Sequence, residues 1–270
     1  MQEQKYIVGI DVGGTFTDLL CLNTETQELL SEKVPSIPGS QWKGVLGALE
    51  QLGIDYVEIR AFVHGTTIAT NALLERKGAK TGLVTTDGFR DTLEIGRTRR
   101  LIGGLFDIKF VRPKPLVSRD LRVEVDERVA ADGTVLQSVD DVDFAPIVQQ
   151  FKDKGVEAIS VAFMNAYRNS ENEVKALEKI QALAEGVSVC TSTTVVPEKG
   201  EFERFSTCVL NAYLTPVVTT YLETLAAELE GQGIAAPVSV MGSNGGVMTL
   251  DQAAKVAAGT FLSGPVGGAG

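Results

Sequence analysis

The sequence has few of the residues on which disulfide-rich, zinc-binding and nucleic-acid-binding proteins depend. Its 270 residues include one histidine and three cysteines, Cys21, Cys190 and Cys208, which lie far apart and form no CxxC pair. This spacing argues against a disulfide framework or a structural zinc site. Acidic residues outnumber basic ones by 35 to 25, which gives a net charge of −10. A nucleic-acid-binding protein usually presents a basic face, so we expect no nucleic-acid partner.

Long apolar segments are also lacking. Glycine or a charged residue interrupts each apolar run within about ten residues, whereas a membrane-spanning helix needs about 20. The first residues, MQEQKYIVGID, have no apolar stretch of the length that a signal peptide requires. Hydrophobic residues nevertheless make up 44% of the chain, which is enough for a large buried core. The sequence therefore predicts a soluble, cytoplasmic protein with no membrane partner.

Strand and helix patterns alternate along the first third of the chain. The apolar run at Tyr6–Gly13 predicts a buried strand that enters a tight turn. Leu19–Val34 predicts two strands joined by a polar turn. Helical spacing that ends at glycine predicts helices at Gln41–Gly53 and Thr66–Gly78. We expect antiparallel pairing at the start of the sheet, because the hairpin comes first.

The alternation continues to the end of the chain and predicts the fold class. A long helix is predicted at Glu201–Gly231, where Pro216 should kink or divide it. A subdomain change is predicted between about residues 85 and 138, where the pattern is irregular. Alternating strands and helices are typical of an α/β domain in which helices cover a mixed sheet.

The strongest motif is the run GIDVGGTFTD at residues 9–18. A buried strand delivers Asp11 to its end, and two glycines allow the backbone to turn sharply and approach a ligand. Amides and threonine hydroxyls in such a turn can donate to phosphate oxygens, and two carboxylates can hold Mg²⁺. The candidate nucleotide-binding residues are Asp11, Gly13, Gly14, Thr15, Thr17 and Asp18, and the candidate metal ligands are Asp11 and Asp18. The alternative interpretation is an ordinary capped hairpin turn.

The single histidine begins a second polar run, HGTT, at the end of a predicted strand. No cysteine or second histidine lies near His64 to complete a metal site. It is therefore either a structural residue or a catalytic one. Thr66 can cap the helix that follows, and Thr66, Thr67 and Asn71 can also face a substrate.

Two further segments are candidate substrate contacts. Arg97, with Arg99 and Arg100, forms a small basic cluster that is either a solvated loop or a site for a phosphate or carboxylate. The run Ser243, Asn244, Gly245 and Gly246 follows a predicted strand, and its glycines permit close approach of a ligand. We expect this run to line a cleft.

These motifs resemble those of known families. DVGGTFTD resembles the first phosphate loop of the superfamily that contains actin, hexokinase and the actin-like chaperones. HGTTIATNALLERKG at residues 64–78 is similar to a signature of the hydantoinase A/5-oxoprolinase family. LVTTDGFRDTLEIGR (83–97), ERFSTCVLNAYLTPV (203–217), MGSNGG (241–246) and FLSGPVGGAG (261–270) resemble further blocks of that family. The resemblance implies an actin-like ATPase (ribonuclease H-like) lobe, with a mixed sheet, an N-terminal β-hairpin phosphate loop and helices on both faces.

The resemblance also implies an activity. Members of this family use ATP and Mg²⁺ to phosphorylate the oxygen of a substrate. We expect an ATP-dependent hydrolase that activates a cyclic amide such as a hydantoin or 5-oxoproline, with Asp11, His64 and Thr67 as catalytic residues. The alternatives are the ATP-using subunit of a ketone carboxylase and a non-catalytic binding module. A second, B-type subunit is the expected partner, within an oligomer.

The length of the chain departs from the family pattern. Chains with these N-terminal blocks resemble longer proteins that contain a second GGT-type phosphate loop and an adenosine site. We expect residues 1–270 to form the N-terminal lobe alone, either as an excised piece or as a short relative. One lobe cannot close over ATP, so the isolated 270-residue chain should be inactive.

Overall fold

The computed structural model describes residues 4–37, 39–97 and 113–261, in which the chain forms two compact units. The first unit contains the residues up to Gly78 and from Val217 onward, and the second contains Ala79–Pro216. The sequence suggested a change between residues 85 and 138. The division comes earlier because the strand at Thr81–Thr86 pairs with strands of the second unit.

The described residues contain twelve strands and eight α-helices. The strands are β1 (Tyr6–Val12), β2 (Phe16–Asn23), β3 (Leu29–Pro35), β4 (Ile59–Thr66), β5 (Thr81–Thr86), β6 (Arg122–Val125), β7 (Arg128–Val129), β8 (Val135–Gln137), β9 (Ala158–Ala162), β10 (Ser188–Thr191), β11 (Val238–Met241) and β12 (Val247–Thr249). The helices are α1 (Gln41–Leu52), α2 (Ile68–Leu74), α3 (Thr92–Ile95), α4 (Ala145–Asp153), α5 (Glu171–Leu183), α6 (Ser192–Val195), α7 (Glu201–Gly231) and α8 (Leu250–Lys255).

The first unit is built on a mixed six-stranded sheet in the order β12-β11-β4-β1-β2-β3. β1, β4 and β11 run parallel, whereas β2, β3 and β12 pair antiparallel with their neighbours. The predicted mixed sheet with an N-terminal hairpin is thereby confirmed. One face of the sheet is buried over its central strands and carries Val8, Ile10, Leu19 and Phe62, each at most 3% exposed.

The second unit contains a parallel four-stranded sheet in the order β10-β9-β5-β6. A Cβ atom at Gly82 in β5 would lie 2.8 Å from the Phe151 ring, so α4 packs closely on one face. Ala158 of β9 packs with Ala212 of α7 on the opposite face, since it pairs with Thr81 rather than Gly82. Helices therefore cover both faces of this sheet.

Several predicted boundaries need correction. The predicted helix at residues 66–78 begins only at Ile68 and ends at Leu74, and Arg76 adopts a left-handed backbone with a φ of 56°. The long helix α7 is continuous, although Pro216 lies inside it, and the division between the units falls at this proline. The loss of one helical hydrogen bond at Pro216 therefore does not end the helix.

The cysteines and the helix lengths bear on covalent cross-links and on membrane spans. All three cysteines are free thiols, although Cys190 Sγ and Cys208 Sγ lie only 3.8 Å apart. Between residues 4 and 261, leaving aside residue 38 and residues 98–112, no helix is both long enough and apolar enough to cross a membrane.

Candidate functional site

The candidate site lies where three parallel strands of the first unit end. Ile10 of β1, His64 of β4 and Val240 of β11 are aligned in register, so the carboxyl ends of these strands meet at one edge of the sheet. The segments that follow them are residues 13–15, residue 67 and residues 242–246. Ligands of open α/β sheets commonly bind at such an edge. The edge therefore unites three of the segments that the sequence singled out.

The loop between β1 and β2 is held in a fixed shape. The Gly13 amide donates to Phe16 O at 2.9 Å and closes the turn. Ser36 holds the loop from the side, because its amide donates to Thr15 O at 2.9 Å and its hydroxyl to Gly13 O at 2.8 Å. Gly14 and Thr15 are exposed, and among the described residues their amides find no hydrogen-bond acceptor. These two amides can donate to an anion such as a phosphate group.

Thr17 was expected to contact the phosphates, and the structure corrects this prediction. Its side chain is fully buried, because β2 alternates and residue 17 faces the interior. Its hydroxyl lies 3.0 Å from Ser36 Oγ, and a Cβ atom at Gly44 in α1 would lie 2.9 Å from it. Thr17 therefore stabilises the loop through its contact with Ser36. Sequence reasoning overlooked Ser36, since one serine after a strand gives no distinctive signal.

Asp11 lies at the end of β1 on the sheet face opposite the buried one. Its Oδ1 atom is buried and has no hydrogen-bond partner within the described part of the chain. A Cβ atom at Gly65 would lie only 3.1 Å from this oxygen, so the glycine leaves room for the carboxylate. Burial, and to a smaller extent the charge of Asp18, raises the pKa of Asp11. An unsatisfied carboxylate oxygen at a strand end can accept a hydrogen bond from a ligand or from a metal-bound water.

Asp18 faces Asp11 directly across the β1–β2 hairpin. It is exposed and forms an ion pair with Lys33, whose Nζ lies 2.6 Å from Asp18 Oδ1. Among residues 4–37, 39–97 and 113–261, no group of three or more histidine, cysteine or acidic side chains is arranged to hold a metal ion. Mg²⁺ usually keeps several waters and takes one or two carboxylates together with phosphate oxygens. The unpartnered oxygen of Asp11 suits that arrangement, whereas Asp18 already has a cation.

His64 was expected to be a catalytic residue together with Asp11, but the two side chains lie on opposite faces of the sheet. The side chain is completely buried and faces the opposite side of the sheet, because it is aligned with Ile10 rather than Asp11. Its Nε2 atom lies 2.8 Å from the Tyr221 hydroxyl. Burial lowers the pKa of His64 to about 3, so the imidazole is neutral at physiological pH. The structural interpretation of His64 fits this environment, and Tyr221 is a partner that the sequence did not reveal.

The rest of the HGTT run connects helix α2 to the phosphate loop. Thr66 is buried, and its hydroxyl accepts a hydrogen bond from the Ile68 amide at 3.2 Å. Both the amide and the hydroxyl of Thr67 donate to Val12 O at 3.1 Å. Asn71 Nδ2 donates to Thr67 Oγ1 at 3.3 Å and lies 3.9 Å from the position of a Cβ atom at Gly14. Thr67 and Asn71 thus lie beside the loop.

Residues 243–246 form the exposed turn between β11 and β12 at the same edge. The Gly242 amide donates to Gly246 O at 2.7 Å, and Gly245 adopts a φ of 80° that favours glycine. Asn244 Oδ1 accepts a hydrogen bond from the Gly246 amide at 2.9 Å. The Ser243 side chain and the Nδ2 group of Asn244 remain the polar groups with which this turn can contact a ligand.

Arg97 belongs to the second unit and has a partner there. Its Nη2 donates to Glu203 Oε2 at 2.9 Å, and its Nε bonds to Glu203 Oε1, which makes the pair bidentate. Both side chains are more than half exposed. Arg99 and Arg100, the other members of the predicted basic cluster, lie outside the described residues, as does most of the block at residues 261–270.

The sequence matches two family models. Residues 7–184 match the hydantoinase/oxoprolinase N-terminal region, and residues 204–270 match the hydantoinase/oxoprolinase model. Over 98% of its length the chain is 39% identical to an uncharacterised protein of Methanocaldococcus jannaschii, of which it covers 39%. Over 92% of its length it is 35% identical to the caprolactamase subunit alpha of Pseudomonas jessenii, of which it covers 36%.

A third relative and a solved structure agree with this assignment. The chain is 31% identical to the acetophenone carboxylase gamma subunit of Aromatoleum aromaticum over 97% of its length and 38% of that protein. The crystal structure of the ATP-dependent caprolactamase from Pseudomonas jessenii matches with a TM-score of 0.86 and 32% identity, over 96% of this chain and 39% of the other. The chain therefore spans well under half the length of these relatives.

Proposed function

The chain belongs to the hydantoinase/oxoprolinase family, and we propose that it holds the phosphates of ATP in an enzyme that phosphorylates the oxygen of a cyclic amide. The family membership and the likeness to an ATP-dependent caprolactamase support this activity. The actin-like architecture supports it as well, since the mixed sheet begins with the hairpin loop expected of such ATPases.

The observation that carries the proposal is that two donors and one acceptor without partners among the described residues lie at one strand end. The exposed Gly14 and Thr15 amides offer two donors to phosphate oxygens. The unpartnered Asp11 oxygen offers an acceptor to the water shell of Mg²⁺. When bound, Mg²⁺ would neutralise charge on the phosphates. A hairpin turn that only connected two strands would have no reason to leave a carboxylate oxygen buried and unsatisfied.

Phosphorylation solves a chemical problem that amides pose. The carbonyl carbon of an amide is a poor electrophile, and its oxygen is a poor leaving group. Transfer of the γ-phosphoryl group from ATP to that oxygen releases ADP and makes the carbonyl carbon a better electrophile. One water can then add to this carbon, and the ring C–N bond breaks as the nitrogen takes up a proton, which leaves an acyl phosphate. A second water hydrolyses the acyl phosphate to the carboxylate and phosphate. The contribution of this chain is to fix the phosphates against the substrate oxygen, through the loop and through Thr67 and Asn71 beside it.

A ketone is the second candidate substrate class, because the chain is 31% identical to the acetophenone carboxylase gamma subunit. Two of the matched relatives carry names that describe them as subunits. We therefore include a second subunit in the proposal, within an oligomer.

ADP release by the complete gene product, assayed with its partner subunit, tests the proposal. We expect hydantoins or lactams to stimulate ADP release without bicarbonate. Stimulation only by ketones, and only with bicarbonate, would support the second candidate. No stimulation by either class, in a folded protein that binds MgATP, would contradict both.

A further inference from the structure

The first unit also contains a cavity of about 410 Å³ beside the phosphate loop. Asp11 is not among the residues that line it. It is partly open to solvent and is bordered by the start of α1, by α2 and by the second half of α7. The residues that shape it include Trp42, Ile68, Asn71, Ala72, Tyr221 and Thr224. Its volume falls within the range of about 300–1,000 Å³ that is typical of small-molecule sites.

The walls of the cavity suit a small ring. Trp42 and Tyr221 contribute aromatic surface, and Ile68 and Ala72 contribute aliphatic surface. Uncharged polar side chains also line the cavity and can orient a ligand against these apolar surfaces, namely Gln41, Asn71, Thr220 and Thr224. The composition favours a compact molecule with one polar edge.

His64 holds one of these walls in place. The neutral imidazole bonds to the Tyr221 hydroxyl at 2.8 Å, and the two rings lie 5.5 Å apart. Its Nδ1 atom is buried without a partner among the described residues. Burying an unpaired polar atom lowers the free energy of unfolding. We regard His64 as a positioning residue, because the bond fixes the ring of Tyr221 against the cavity.

The charges at the cavity point to a neutral ligand. Glu75 and Lys77 are the charged residues that line it, and their side chains pair with each other at 2.6 Å. Both are more than half exposed, so they lie on the rim. Lys77 is the only cation among the described residues that line the cavity, and Glu75 neutralises it, so a ligand carboxylate would leave water without gaining a free cation.

Asn71 connects the cavity to the phosphate loop. It lines the cavity, while its Nδ2 atom lies 3.9 Å from the Cβ position of Gly14. From the proposed function, and from this adjacency, we propose that the cavity binds the ring of a neutral cyclic amide and presents its carbonyl to the loop. A cyclic amide that carries a carboxylate, such as 5-oxoprolinate, is disfavoured.

Trp42 is the only tryptophan of the chain, so its fluorescence reports on the cavity directly. We would titrate the 270-residue chain with 2-pyrrolidone and with 5-oxoprolinate, which share a five-membered lactam ring and differ in the carboxylate. We expect a saturable change with 2-pyrrolidone and binding of 5-oxoprolinate that is weaker by roughly tenfold or more. Equal or tighter binding of 5-oxoprolinate, or no saturable change with either compound, would overturn the inference.

Variants locate the binding site. Ala72→Leu on α2 and Thr224→Leu on α7 each place a larger side chain in the lining of the cavity, and we expect each to weaken 2-pyrrolidone binding by roughly tenfold. Two cavity variants are used so that the test still holds if one of them does not fold. Thr219→Leu makes the same substitution on α7 at a residue that does not line the cavity, and it should bind as the wild type does. Unchanged binding in both cavity variants would place the ligand elsewhere.

These titrations contain no nucleotide, so their outcome does not depend on whether the proposed function is correct. If 2-pyrrolidone binds but no cyclic amide stimulates ADP release, the cavity assignment stands and the proposed activity is wrong. If cyclic amides stimulate ADP release while Trp42 fluorescence and the cavity variants show no binding here, the activity stands and the cavity assignment is wrong.

Discussion

Asp11 Oδ1 lies 3.1 Å from the point at which residue 65 would carry a Cβ atom, and residue 65 is glycine. The carboxylate at the end of β1 and the backbone of β4 therefore occupy adjoining space at the sheet edge. This arrangement buries the oxygen without giving it a partner among the described residues. Such a carboxylate costs folding free energy at neutral pH, which is common for residues that are kept for function.

Asp11→Asn should stabilise the protein at neutral pH. Burial raises the pKa of Asp11, so its favourable contribution is complete only below the ordinary value of 3.8 and is lost as pH rises through the raised pKa. Urea unfolding should show a higher free energy of unfolding for the variant at pH 7, and the difference should disappear near pH 3. The control is Asp126→Asn at an exposed carboxylate, which should change little. A lower free energy of unfolding for Asp11→Asn than for the wild type at pH 7 would contradict this interpretation.

His64 should make the protein sensitive to mild acid. Its pKa falls from 6.5 to about 3 on folding, so the unfolded state binds more protons between these values. The stabilisation is complete above pH 6.5 and declines by about 1.4 kcal/mol per pH unit below it. Because His64 is the only histidine, His64→Gln should remove this slope between pH 7 and 5. The same slope in both proteins would refute the assignment.

Thr67→Val should weaken the connection between α2 and the phosphate loop. The valine keeps the shape of threonine and the amide bond to Val12 O, but it loses the hydroxyl bond to Val12 O and the acceptor for Asn71. We expect a loss of about 1–2 kcal/mol in the free energy of unfolding and a higher KM for MgATP in the complete enzyme. Thr67→Ser should restore both. If valine and serine behave alike, the hydroxyl has no such role.

Two glycines of α1 should respond oppositely to alanine. A Cβ atom at Gly44 would lie 2.9 Å from the buried Thr17 hydroxyl, whereas one at Gly47 would meet nothing within 4 Å. Gly44→Ala should therefore destabilise by about 1–3 kcal/mol, because Thr17 and Ser36 must shift. Gly47→Ala should be neutral or stabilise by about 0.5–1 kcal/mol, since glycine disfavours helices. Thermal unfolding of the two variants makes the comparison.

Local patterns were sufficient for much of the fold. The apolar run that ends in Gly13 and Gly14 correctly predicted β1 and its tight turn, and the glycine stop correctly predicted the end of α1 at Leu52. The run at residues 243–246 was expected to follow a strand and to allow close approach of a ligand, and it follows β11 as an exposed turn in which Gly245 has a positive φ. These features depend on residues that are neighbours in sequence.

Side-chain directions at the candidate site depend on residues that are distant in sequence, and they were not predicted. His64 and Tyr221 are 157 residues apart, and only the packing of α7 on the buried sheet face brings them together. Thr17 turns inward because of the pairing register of β2, which the motif alone does not specify. A motif can therefore indicate that a loop binds phosphate without telling which of its hydroxyls reach the ligand.

ATP turnover of the complete gene product and of its Asp11→Asn variant tests the central claim most directly. The variant keeps the shape of the site and, on this account, a fold at least as stable as that of the wild type. We predict that turnover stimulated by a cyclic amide falls by about 100-fold or more, because the carboxylate that would accept the water shell of Mg²⁺ is lost. Near-normal stimulated turnover in a folded Asp11→Asn variant would contradict the assignment of the β1–β2 loop to the phosphates of ATP.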